Sequence, residues 1–185
     1  MRIVRAADCR RMPWKNGGGE TIEIAVEPAG AGLEDFAWRL SSATVASDGP
    51  FSAFAGIDRT LALLSGAGLQ LDVGGGAYRL QPGDDPLAFP GDVPTAASLL
   101  DGPISDLNMM TRRGSWRHAM HAIRLDGVLA LPRQATTTLV FCADGQVQVE
   151  DAVVAAQDLA ILASDPEPVR LAGLATLYVV TIDKA

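Results

Sequence analysis

The stretch Leu61-Ala62-Leu63-Leu64-Ser65-Gly66-Ala67-Gly68-Leu69-Gln70-Leu71 decides the fold class. An apolar run leads into a glycine-containing turn, and beyond it Leu69-Gln70-Leu71-Asp72-Val73 alternates apolar with polar residues. That period of two is the mark of a strand with one buried face. The pattern returns 78 residues later as Leu139-Val140-Phe141-Cys142-Ala143-Asp144-Gly145-Gln146-Val147-Gln148-Val149, with positions 61, 63, 69 and 71 mapping onto 139, 141, 147 and 149. Pro86-Leu87-Ala88-Phe89 parallels Asp158-Leu159-Ala160-Ile161 at the shorter offset of 72. A strand, a turn, a second strand and then a buried strand is what each lobe of a double barrel requires. The same succession occurs in β proteins at large, so duplication and ordinary β organisation both account for it.

The pattern extends outward from these blocks. Thr21-Ile22-Glu23-Ile24-Ala25-Val26 places Ile22, Ile24 and Val26 on one strand face and Thr21, Glu23 and Ala25 on the other. Ala160-Ile161-Leu162 and the run Ala175 to Ile182 read as strands buried on both sides. Gly and Pro punctuate the chain at short intervals, as in an antiparallel sandwich or barrel. Helix signals are thin: Ser115 to His121 is the best candidate for a short helix or a linker turn. The chain reads as all-β.

Its 185 residues are compatible with one domain or a compact pair. A 48% hydrophobic content supports a sizeable core. The 15 basic and 22 acidic residues give a net charge of −7, which argues against a general nucleic-acid binder, since that affinity rests on neutralising phosphates. Cys9 and Cys142 form no disulfide framework, and no apolar run has membrane length, so a cytoplasmic protein is expected. No metal and no cofactor are expected. His118 and His121 fall in the expected linker, without an intervening carboxylate, and read as surface residues.

The segment Pro13-Trp14-Lys15-Asn16-Gly17-Gly18-Gly19-Glu20-Thr21-Ile22-Glu23-Ile24 closely resembles the opening signature of the HutD family, which includes the related Ves proteins. The resemblance continues through Phe36 to Ala43, Asp48 to Phe54 with Gly56 to Arg59, Phe89 to Asp92, and Gly102 to Gly114. These blocks occur in order over roughly the first two-thirds of the chain. The last third matches only in strand pattern. The resemblance implies a bicupin fold, an association with bacterial histidine utilisation, and a small-molecule-binding accessory or regulatory role without established catalysis. It points to formylated glutamate as ligand. The expected division is a ligand-binding lobe over residues 1–111, a linker over 112–132 in which Arg124 to Leu131 can already pair into a sheet, and a second lobe over 133–185.

Several residues are candidates for that binding. Gly17, Gly18 and Gly19 permit positive φ and can bring successive N–H groups into a concave anion nest, with Lys15 adding charge and Asn16 an amide. The alternative is a tight loop leading into the strand at Thr21. This is not a Walker loop, because no Lys-Ser or Lys-Thr follows the glycines. Arg39, Ser41 and Ala43 share one strand face, and Arg59 precedes the Leu61–Leu64 strand. An inward arginine grips a carboxylate with two hydrogen bonds, whereas an outward one is a solvated edge or a structural ion pair. Phe51 and Phe54 offer apolar walls or ordinary packing. Asp106 and Asn108 share a face: Asn108 suits an amide or formyl group, and Asp106 suits a supporting basic partner, unless both cap a turn.

The expected function is therefore metal-free binding of a small carboxylate such as N-formyl-glutamate in the first lobe, by a protein more readily read as a binder than an enzyme. The ligand-binding set is Lys15, Asn16, Gly17, Gly18, Gly19, Thr21, Arg39, Ser41, Phe51, Arg59, Asp106 and Asn108, with no catalytic residue assigned. A metal-independent enzyme using Lys15, Glu20, Glu23 or Asp106 is the alternative. The other is an interaction module, a possible homodimer built on the apolar strand Leu177 to Ile182. Neither nucleic acid nor membrane is expected as a partner.

Overall fold

The structure, a computed structural model, describes residues 1–14 and 17–185. In chain order its strands are β1 (Arg2–Val4), β2 (Arg10–Pro13), β3 (Gly19–Glu27), β4 (Trp38–Val45), β5 (Gly49–Pro50), β6 (Ile57–Ser65) and β7 (Leu69–Val73). There follow β8 (Gly76–Leu80), β9 (Leu87–Pro90), β10 (Thr95–Leu99), β11 (Ile104–Arg112), β12 (Trp116–Val149), β13 (Ala152–Ala155) and β14 (Leu159–Lys184). The described residues hold one short 3-10 turn, Ala6–Asp8, so the all-β expectation stands. They contain no helix long and apolar enough to cross a membrane.

The chain divides into two compact units, Arg10–Ser115 and Met1–Cys9 with Trp116–Ala185. The first contains a six-stranded sheet, β2-β3-β4-β11-β6-β9, and a four-stranded sheet, β5-β10-β7-β8, with antiparallel pairing throughout. Leu61, Leu63, Leu69, Leu71, Leu80, Phe89 and Ile104 meet in one apolar cluster of this unit. The leucines of the opening stretch therefore converge as their spacing predicts. Gly74 and Gly75, both at positive φ, form the two-residue turn of the β7–β8 hairpin, where side chains would be strained.

The second unit is one sheet, β1-β14-β12-β13. Residues 116–131 pair with 169–184, and residues 137–149 pair with 171–182. The beginning of that second segment also pairs on its other edge with 159–163. Strand 171–182 thus has partners on both edges, and Leu177 to Ile182 presents no open edge on which a second copy could pair. Asp158 ties the N-terminal residues to this unit: it accepts hydrogen bonds from Arg5 Nη1 at 2.6 Å and from the Ala6 N–H at 2.9 Å.

Four expectations are corrected here. None of the three sheets has the closed strand order of a barrel. Residues 112–132 are mostly strand rather than linker, and the helix candidate Ser115 to His121 enters β12 at Trp116. The alternation that signals this is present: Met120 is buried, whereas Arg117, Ala119 and His121 are exposed. The second copy of the repeated pattern is displaced by one residue, because Val140 and Cys142, not Leu139 and Phe141, join Val147 and Val149 in a common core. In β3 a bulge between Glu23 and Ala25 inserts one residue. Val26 consequently lies opposite Arg39 and packs with Phe36, Ile57 and Met110, on the face shared by Glu23 rather than that of Ile22.

Candidate functional site

Pairing in the six-stranded sheet gathers the polar faces of β3, β4, β6 and β11. Glu23 lies opposite Ser41, Ser41 opposite Asn108, and Ala43 opposite Asp106, so Thr21, Glu23, Arg39, Ser41, Asp106 and Asn108 share a face. The opposite face of β11 carries Leu107 and Met109, both fully buried. The strand is thus anchored by apolar packing on one side, which holds its polar side in place. That polar side lines a cavity of about 880 Å³ within residues 10–115.

Three charged groups lining this cavity are almost completely buried: Arg39 at 4% exposure, Arg59 at 5% and Asp106 at 3%. They are not equivalent. Arg39 Nε donates to Glu23 Oε2 at 2.9 Å, and its Nη1 donates to Ser41 Oγ at 3.1 Å, so its charge is internally neutralised. Arg59 Nε donates to Asn108 Oδ1 at 3.4 Å and its Nη1 to the Ser52 carbonyl at 3.2 Å. None of the ion pairs among the described residues includes Arg59. Its guanidinium instead sits 5.2, 5.5 and 5.3 Å from the ring centres of Phe51, Phe54 and Phe89. Such rings attract a cation through their quadrupoles while excluding water from it.

Burial lowers the Arg59 pKa to about 10, with Asp106 opposing the shift and Arg39 adding to it, so the group remains cationic at neutral pH. Burial also pushes Asp106 up to about 7, against the pull of Arg59 and a backbone hydrogen bond with Ala43. Asp106 Oδ1 has no hydrogen-bond partner among the described residues. A buried acceptor without a partner costs about 1–3 kcal/mol, a penalty that an arriving donor removes. The arrangement offers a dehydrated cation and an open hydrogen-bond acceptor side by side in an aromatic-walled pocket.

Of the expected binding residues, the cavity brings together Thr21, Arg39, Ser41, Phe51, Arg59, Asp106 and Asn108. Thr21 Oγ1 accepts a hydrogen bond from Trp14 Nε1 at 2.8 Å. Lys15 and Asn16 lie outside the described residues. Gly17, Gly18 and Gly19 are not among the residues lining the cavity; they close the turn between β2 and β3. The Gly17 N–H donates to the Trp14 carbonyl, and the Gly18 carbonyl accepts from the Ala46 N–H. A side chain at Gly19 would collide with the Thr44 carbonyl, giving this glycine a packing role.

Sequence reasoning missed the part played by Glu23 as the partner of Arg39, although it already placed Glu23 on the face of Thr21. It also missed Phe89, which is brought opposite Arg59 by the β6–β9 pairing, a contact that no local pattern announces. Trp14 and Met110 line the cavity as well. Arg112 and Arg113 hold loops: Arg112 donates to the Glu34 and Phe36 carbonyls, and Arg113 donates to Asp58 and Asp92. No group of three or more His, Cys, Asp or Glu side chains among the described residues is arranged to hold a metal ion.

These features define an all-β protein with a charged, aromatic-walled cavity. Its backbone is like that of the cupin 2 conserved barrel domain protein of Leptotrichia buccalis, at a TM-score of 0.59 with 10% identity over 95% of this chain and 96% of that one, which shows the fold alone. The chain belongs to the HutD family, whose model matches residues 6–178. A 21.2 kDa protein of the hutC 3' region of Pseudomonas putida is 40% identical over 149 residues, covering 80% of this chain and 77% of that protein. The Ves protein of Cronobacter sakazakii is 43% identical over 115 residues, covering 60% of this chain and 61% of its own. The structure of HutD from Pseudomonas fluorescens SBW25 aligns at a TM-score of 0.88 and 34% identity, over 100% of this chain and 98% of that one.

Proposed function

We propose that the protein is a non-enzymatic accessory or regulatory protein of histidine utilisation that binds a small carboxylate in the cavity of residues 10–115. The observation that carries this reading is Arg59, a buried guanidinium ringed by three phenylalanines and belonging to no ion pair among the described residues. Transferring a charge into a dry pocket is costly unless an opposite charge joins it. A carboxylate completes the pair, and the planar fork of arginine meets it with two hydrogen bonds. Arg39, already paired with Glu23, serves as scaffold for the wall rather than as a second anchor. The family's association with histidine utilisation makes N-formyl-glutamate the leading ligand. Binding proceeds without a metal, and the two compact units are read as the two lobes of a bicupin.

A thermal-shift titration with N-formyl-L-glutamate, urocanate, histidine, glutamate and formate tests the reading. A ligand at about 100 times its Kd adds roughly 2.7 kcal/mol of stability, or about 5–10 °C for a chain of this size. A shift with a carboxylate that persists in chelator is the expected result. No shift with any of the five compounds overturns it. The near-neutral Asp106 favours one other reading, a metal-independent enzyme with Asp106 as general acid or base. Consumption of the bound carboxylate by purified protein, lost in Asp106→Asn, would establish that reading instead.

A further inference from the structure

We propose that Asp106 is the specificity-determining residue of the cavity and accepts a hydrogen bond from an N–H on the ligand, so that the site selects carboxylates bearing a nitrogen on the adjacent carbon over carboxylates of equal size without that donor. The inference rests on the carboxylate-binding reading above and adds to it the second half of the ligand.

Two observations carry it. Asp106 lines the cavity at 3% exposure, and its Oδ1 has no hydrogen-bond partner among the described residues. Nearly every buried polar atom of a folded protein is satisfied, so an orphaned acceptor at a cavity wall marks the place of a donor that arrives from outside. The second observation is spacing. Arg59 reaches Asn108 through its Nε, and Asn108 follows Asp106 by two positions on the same face of β11. Two residues of strand span roughly 7 Å at about 3.3 Å each. A carboxylate and an N–H on one carbon atom, each with a hydrogen bond of about 3 Å at its outer side, bridge a gap of that size. A ligand held at Arg59 by its carboxylate therefore presents its α-nitrogen toward Asp106.

The charges agree with this orientation. Among the described residues, the charged groups that line the cavity with Asp106 are the buried Arg59 on β6, Arg39 on β4, Glu23 on β3 and the exposed Arg10 on β2, and Arg39 and Glu23 neutralise each other. A second anionic group placed at Asp106 would face an acidic residue, with Arg59 already engaged by the first carboxylate and Arg10 exposed to solvent, whereas an N–H meets an acceptor. Asn108 has its Oδ1 directed at Arg59, which leaves Asp106 as the open acceptor beside the anchor.

The test compares two ligands on the native protein by isothermal titration calorimetry at pH 8: N-formyl-L-glutamate, and the ester analogue in which an oxygen replaces the N–H. The shapes match, but the ester turns an acceptor toward the carboxylate. The native protein is expected to bind the amide at least tenfold more tightly. In Asp106→Asn the side-chain amide donates to the ester oxygen, and the preference is expected to fall to within about twofold. Equal affinities for the two compounds in the native protein overturn the inference while leaving the carboxylate site intact. An amide preference that persists in folded Asp106→Asn assigns the N–H to another residue and overturns it equally. Failure of both compounds to bind the native protein removes the carboxylate reading and this inference with it. Should the variant not fold, equal affinities for the ligand pair in the native protein still overturn the inference.

Discussion

The two compact units are made from the same material, antiparallel strands with alternating faces, but fill their interiors in opposite ways. The unit of residues 1–9 and 116–185 closes its core with Leu125, Val140, Val147, Leu162, Leu171, Leu177 and their neighbours, all apolar. The unit of residues 10–115 holds an apolar cluster too, yet it also encloses a cavity walled by Arg39, Arg59 and Asp106. An apolar interior gains roughly 25 cal/mol for each Å² removed from water. A buried charge without a partner works against folding. The difference lies in buried charge: in the unit of residues 10–115 the buried Arg59 and Asp106 face a common cavity and belong to no ion pair among the described residues, whereas the buried Asp158 of the other unit is paired with Arg5.

This contrast can be broken by experiment, and the largest effect is expected in the apolar unit. Leu177→Ala removes a fully buried side chain from that core and should cost about 2–5 kcal/mol, measured by urea denaturation. The affinity of the folded variant for N-formyl-L-glutamate should be unchanged. A loss of affinity would place the apolar unit in the binding machinery.

Arg59→Met comes next. It should weaken N-formyl-L-glutamate binding by about 100-fold, in line with the roughly 2–5 kcal/mol lost when one partner of a buried charge pair is truncated, with stability held or raised. Arg39→Met acts differently, because it strands the partly buried Glu23. Its main effect should be on stability, read as a lowered melting temperature. Equal losses of binding in the two variants would erase the distinction drawn between the arginines.

Asp106→Asn sharpens the comparison by about 1–3 kcal/mol, the scale of one unsatisfied buried group. Burial raises the carboxyl from 3.8 to about 7, so between these values the native state holds a proton that the unfolded chain has released. Wild-type stability is therefore favoured at the acid end of this window and declines as pH rises through 7. The substitution should flatten that decline and raise the melting temperature at pH 8 in the absence of ligand. A melting temperature lowered equally at pH 5 and pH 8 would mean that Asp106 is merely structural. The smallest effect belongs to Arg11→Ala, which removes an exposed pair with Glu20 and should change stability by less than about 1 kcal/mol in the same melting assay.

Much of the site was legible because alternation is local. Arg39 with Ser41, and Asp106 with Asn108, were placed on common faces by spacing alone, and the structure has them so. The errors arose where local rules fail. The bulge at Ile24 reversed the faces of the end of β3, and one residue of slip moved Val140 and Cys142 into the place expected for Leu139 and Phe141. A one-residue shift transfers every side chain to the other face, and no propensity marks where it falls. The pairing of Glu23 with Arg39, and of Phe89 against Arg59, depends on contacts 16 and 30 residues apart in the chain, set by strand order rather than by either segment. At Ser115 to His121 the information was present as an alternation, which the reading as a short helix or linker turn passed over.

The most direct test of the central claim is a crystal structure of the protein grown with saturating N-formyl-L-glutamate. The account predicts the ligand in the cavity of residues 10–115, with a carboxylate within about 3 Å of the Arg59 guanidinium nitrogens. Ligand density elsewhere on the chain, or in the cavity with Arg59 facing no anionic group, would contradict it.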